Sequence, residues 1–196
     1  MKNNYNEQSN ISVDGHCVIK DMDTGEVLLD KHNAINFQNF AFAVSNLLAN
    51  KSVNGEQFFI EEMAFGKGGT LIDANGNITY RNPQVDGVHG ALYEPLEQPA
   101  GTNFSLAVDS IDVVDAESNP YSDITVKVIL DYNEPALQQA SDNAADFTTN
   151  DNFVIDEIAL VTESGSFLTH LIFHPIQKSS NRKIEILYSL RIRAGV

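Results

Sequence analysis

Two adjacent carboxylates, Asp156 and Glu157, interrupt an otherwise apolar run from Phe153 to Thr162, which makes them the first place to look for acid–base chemistry. The structural expectation for them is plainer: one side chain braces a sheet while its neighbour faces water. His170 and His174 stand four apart. The surrounding pattern is a strand, with neither the intervening glutamate nor the helix of a zinc-protease motif, and His16, His32 and His89 are scattered, so no metal site is expected. His16 and Cys17 are neighbours on a strand and point to opposite faces, and no Gly-x-Ser-x-Gly elbow occurs. Gly66-Lys-Gly-Gly-Thr70 is glycine-rich and carries a lysine, but P-loop spacing is missing and no helix pattern follows it, so it reads as a structural turn. Asp21 and Asp23 resemble the start of a calcium loop, yet the glycine comes one place early and His32 stands where a bidentate glutamate belongs. The residues thus predict no catalytic group, no cofactor and no metal. A protein that is not an enzyme is expected.

The elements that position these residues are mostly strands. Phe153–Thr162 is β-rich and ends at Glu163-Ser-Gly-Ser166, where Gly165 supplies the positive φ of a tight hairpin. Phe167 to Phe173 runs back, with Pro175 expected to end it and Gln177–Arg182 to form a polar loop. From Lys183 to Arg193 apolar and polar residues alternate, placing Ile184, Ile186, Tyr188, Leu190 and Ile192 on one core-facing side. Earlier, a strand through Val13, Cys17 and Ile19 turns at Asp21–Glu26 and returns at Val27–Leu29. Phe37, Phe40, Ala41, Val44, Leu47 and Leu48 then form one stripe at helical spacing, capped by Asn33 or Asn36 and expected to lie on the sheet. Further strands are expected at Phe58–Phe65, in a hairpin around Asn75-Gly76, at Phe104–Val114 and at Ile124–Leu130. The fold class is mainly β: a β-sandwich or barrel-like double sheet with one α-helix packed on it.

At 196 residues the chain suits a single core. The expected organisation is a flexible N-terminal arm over residues 1–12 and one β-rich domain over 13–196, with long loops at about 81–103 and 131–152. Twenty-seven acidic residues against 12 Lys and Arg give a formal charge of −15, a field that repels nucleic acid and anionic lipid. Cys17 is the only cysteine, so no intrachain disulfide forms. No apolar run approaches the ~20 residues of a membrane-spanning helix, and a soluble protein without membrane or direct nucleic-acid partners is expected.

Several blocks resemble a family of virion structural proteins from tailed bacteriophages: Val18–Ile35, Met63–Thr70, Ile78–Tyr80, Asn133–Pro135, Phe153–Leu160 and Leu168–Pro175, continuing through Lys178-Ser179 to the end. They follow one order and span most of the chain from about Val13. The resemblance implies a virion component, a symmetric homo-oligomer that joins copies of itself in a ring and other neck, tail or baseplate proteins. Its expected place is the neck or collar, where head meets tail; attachment at the baseplate or to tail fibres, or binding of a host glycan, are the alternatives. It transfers no catalytic residue. The two long loops are the expected contact regions, with Tyr93 and Tyr132 as candidate interface residues. Because subunits of like charge repel, Lys178, Arg182 and Lys183 are the candidate cations for pairing with acidic neighbours.

Overall fold

The computed structural model describes residues 11–86, 90–97, 101–115, 120–135 and 153–194. The strands are β1 (Ile11–Asp21), β2 (Val27–Ile35), β3 (Ile60–Gly66), β4 (Thr70–Ile72), β5 (Ile78–Tyr80), β6 (Ser105–Ala107), β7 (Ser110–Asp115), β8 (Tyr121–Leu130), β9 (Phe153–Thr162), β10 (Thr169–Lys178) and β11 (Ile184–Ala194). Nine of them form an antiparallel sheet in the order β6-β3-β9-β10-β2-β1-β11-β8-β7, and β4-β5 is a separate hairpin. One helix, α1 (Phe37–Leu48), follows β2.

The sheet curls until its two halves face each other. Ile19 of β1, Leu130 of β8 and Ile184 and Ile186 of β11 meet Ile155 and Ile158 of β9 and Phe173 and Ile176 of β10 around a small apolar void. The alternation in β11 explains its side of this core: Ile184, Ile186, Tyr188 and Leu190 are buried, while Glu185, Ser189 and Arg191 turn outward into cross-strand pairs. The halves are joined at a narrow seam of two pairs, Ile35 with Thr169 and Ala34 with His170. They come together again at the outer edges. The expected strand Phe104–Val114 bends at Val108 and Asp109, so that β6 pairs with β3 on one edge and β7 with β8 on the other. Val108 N–H donates to the carbonyl of Glu61 in β3 and Asp109 N–H to that of Lys127 in β8, tying the edges across the bend. This corner gives the barrel-like double sheet its closure.

Three sequence expectations need correction. Pro175 does not end β10, which runs on to Lys178; the proline sits in a bulge between Ile172 and Ile176, where the missing N–H breaks no regular pair. The loop after it is correspondingly shorter. The helix is present and capped by Asn36, whose side chain accepts from Asn39 N–H at 3.1 Å, but only part of its expected stripe faces inward, with Phe40 packed on the core. Asn39 and Ala43 are its buried residues, whereas Phe37 and Leu48 are 63% and 85% exposed. Asn39 decides the rotation, because its Nδ2 donates to the carbonyl of Phe167 at 2.8 Å and pins the first turn to the β9–β10 connection. Finally, the segment from Arg81 to Asn103 is no free loop where it is described. Leu92 and Leu96 are buried, and Leu96 exchanges backbone bonds with Phe65 and Phe104. In the second long loop, residues 136–152 lie outside the described residues, as do residues 1–10 of the expected arm, and His89.

Candidate functional site: a buried carboxylate fastener

β9 is covered on both faces, and its two acids are buried together: Asp156 is 2% and Glu157 0% exposed. A β-strand sends neighbours to opposite faces, yet both acids serve the Gly66–Thr70 turn, which wraps the strand. Asp156 Oδ1 accepts from Gly69 N–H at 2.8 Å, and Oδ2 accepts from Thr70 N–H at 2.8 Å and from the Thr70 hydroxyl at 2.5 Å. Glu157 Oε1 accepts from Gly68 N–H at 3.0 Å and Glu94 N–H at 2.9 Å, and Oε2 from Tyr93 N–H and His170 Nε2, both at 2.9 Å. The glycine-rich loop does cradle an anion. The anions are the chain's own carboxylates.

His170 completes the cluster. Gln84 N–H donates to its Nδ1 at 2.8 Å, so the ring proton sits on Nε2 and is given to Glu157. One neutral imidazole thus links Gln84 of the segment after β5 to the acid that also holds Tyr93 and Glu94. Burial pushes both acids up. At Asp156 it prevails over the bonds from Thr70 and Gly69, with the adjacent charge of Glu157 adding to it, and the carboxyl lies above its ordinary range. At Glu157 the donors from His170, Glu94, Tyr93 and Gly68 overcome burial and hold it below. Every oxygen of Glu157 carries two donors, so no lone pair is left for a substrate, and the imidazole, 1% exposed, is sealed in as well. The geometry resembles an acid–base dyad, but its effect is mechanical, bolting three backbone segments to β9.

The glycines follow from this packing. A Cβ on Gly66 would fall 2.5 Å from Glu157 Oε1, and one on Gly69 2.8 Å from the Asp156 carbonyl. The sequence displays Asp156-Glu157 and the glycine loop as separate features, with no sign that they meet. The expectation of one water-facing acid is corrected, because β9 lies between two layers rather than at a surface. Spacing alone groups His170 with His174, which a strand period of two would place on one face, but the bulge between Ile172 and Ile176 breaks that period: His170 is buried, while His174 is exposed and bonds Tyr80 at 3.3 Å.

The expected interface residues are largely engaged within the chain. Lys178 is buried in β10, and its Nζ donates to the carbonyls of Asp131 and Ser179 at 2.9 and 3.1 Å. Burial pushes it down to about 8 against the opposing charges of Glu134 and Asp131. It is therefore not a loop cation. Arg182 Nε reaches Asp21 Oδ2 at 2.6 Å and its Nη1 the Gln177 carbonyl, and Lys183 pairs with Asp131 at 3.0 Å. Asp21, the first acid of the calcium-like turn, commits Oδ1 to the N–H groups of Asp23 and Thr24. Among the described residues no group of three or more potential ligands could hold a metal.

Tyr93 donates to the Asn82 carbonyl and lies under Arg81, 4.6 Å from the ring centre. Tyr132 is half-exposed and donates to Asp23 at 2.5 Å, beneath Lys183. Tyr80 and Tyr121 carry Lys31 and Arg191 over their rings at 5.6 and 4.2 Å.

No protein-family model, curated protein or solved structure matches the chain.

Proposed function

We propose that the chain is a structural subunit of a tailed-bacteriophage particle, without enzymatic activity, that assembles as a symmetric oligomer in the neck or collar. The observation that carries the reading joins sequence to geometry. Three of the blocks that resemble phage structural proteins, Met63–Thr70, Phe153–Leu160 and Leu168–Pro175, lie far apart in the sequence but contribute Gly68, Gly69, Thr70, Asp156, Glu157 and His170 to one buried fastener. A resemblance concentrated in residues that hold a fold together fits a scaffold. Support also comes from the surface, where Phe37 and Leu48 of α1 and Val113 and Val114 of the edge strand β7 are exposed. An edge strand unpaired among the described residues and exposed apolar side chains of this kind suit contacts with other subunits. Attachment at the baseplate or to fibres uses the same properties and is the second placement. Binding of a host glycan has less support, because the rings of Tyr80, Tyr93 and Tyr121 already carry cations.

Quantitative mass spectrometry of purified, salt-washed particles tests the reading. The chain is expected at a fixed copy number alongside the other virion proteins; its absence from washed particles that remain infectious overturns the proposal.

A further inference from the structure

The sheet splits between β1 and β2. Their pairing runs only from Lys20 opposite Val27 to Gly15 opposite Asn33, after which β2 swings across to β10. Over Ile11–Asp14, β1 keeps β11 on one side, while on the other side no described strand pairs with it. The split opens a cleft of about 630 Å³, with Val13 and Asp14 on one wall, Ala34 and Phe37 on the other, and Val85 and Asp86 beyond.

Asn33 props this cleft open. Its carboxamide occupies the place of a side chain on Gly15, where a Cβ would fall 1.6 Å from Asn33 Oδ1. Nδ2 donates to the Ala34 carbonyl at 3.1 Å, but Oδ1 is buried and has no donor among the described residues. A free strand edge beside an unsatisfied acceptor is the arrangement that an added extended segment completes.

We propose that the segment is residues 1–10 of a second copy of this chain, added as a strand along Ile11–Asp14. The inference deepens the assembly reading and rests on it for the presence of neighbouring copies. The segment leads directly into the free edge and holds four asparagines, a glutamine and a serine, which supply N–H and O–H donors for Asn33. Lys2 balances its single acid, Glu7, in a chain of charge −15, so it meets the rim formed by Asp14 and Asp86 without the repulsion most other segments would suffer. Ten extended residues reach roughly 33 Å, ample to cross to a neighbour. Folding back onto the same chain would require a tight reversal at Ser9-Asn10.

The test uses the full chain. Sedimentation over a range of concentrations should show self-association, weakened at least tenfold by the triple variant Asn4→Pro, Asn6→Pro, Gln8→Pro, which cannot pair as a strand. That variant alters no described residue and should melt within a few degrees of the parent. Mixing an Asn6→Cys chain with a Ser12→Cys chain under oxidation should then yield a linked heterodimer; Cys17 is buried and stays out of the reaction. A parent that is monomeric throughout, association unaffected by the prolines, or mixed cysteine chains that give no linked heterodimer would each overturn the proposal. If the chain is nevertheless present in washed particles, copies meet through another surface and the assembly reading stands alone.

Discussion

Glu157 gathers four donors from three segments onto two oxygens in a site closed to water. Removing its charge leaves those N–H groups facing an amide that can satisfy only some of them. Glu157→Gln is therefore expected to lower unfolding free energy by about 3–5 kcal/mol, the scale of a broken buried ionic network. Chemical denaturation checks this, and a loss below about 1 kcal/mol would show that the fastener is incidental. Lys178 gives a prediction in pH. Its folded value near 8 lies below the ordinary 10.5, so between these values the unfolded chain binds more protons and stability rises with pH. The difference between the parent and Lys178→Met should change in that window by up to roughly 3 kcal/mol and stay flat below about pH 7. A difference independent of pH from about 7 to 10.5 would refute the buried, shifted amine. Neither role was legible in the sequence, because each depends on partners in distant stretches or on a strand running through a proline.

Elements with a strict period were legible. β11, the β1–β2 hairpin, the Asn75-Gly76 turn and the extent of α1 follow from alternation, glycines at positive φ and an asparagine cap. The facing of α1 did not follow, since its apolar stripe is real but the polar Asn39 contact with Phe167 sets the rotation. Phe37→Ser and Leu48→Ser should thus each change stability by less than about 0.5 kcal/mol. Asn36→Ala should cost ~1 kcal/mol or more through the lost cap. Thermal melts that rank the two apolar changes above the cap would restore the expected face. The bend at Val108–Asp109 was equally hidden, as both halves of that run have strand composition. So was the packing of the 90–97 segment: Leu96→Ala is expected to cost about 2–5 kcal/mol, as for other buried leucines, and a neutral result would return this segment to the status of a loose loop.

For the whole molecule, the curled sheet encloses an apolar core, while Phe37, Leu48, Val113 and Val114 are apolar side chains left on the outside. Composition and alternation were enough to read the fold class; the candidate site required the fold, because the acids, glycines and histidine that form it belong to separate stretches. A chain whose sealed acid–base cluster holds loops in place, and whose edge β7 and helix face remain uncovered among the described residues, is suited to work through surfaces. The most direct measurement is a reconstruction of purified particles carrying a small tag on this chain. Tag density repeated symmetrically around the particle axis at the junction of head and tail is the expected result, and particles lacking that density at every site along the tail axis would refute the proposed role.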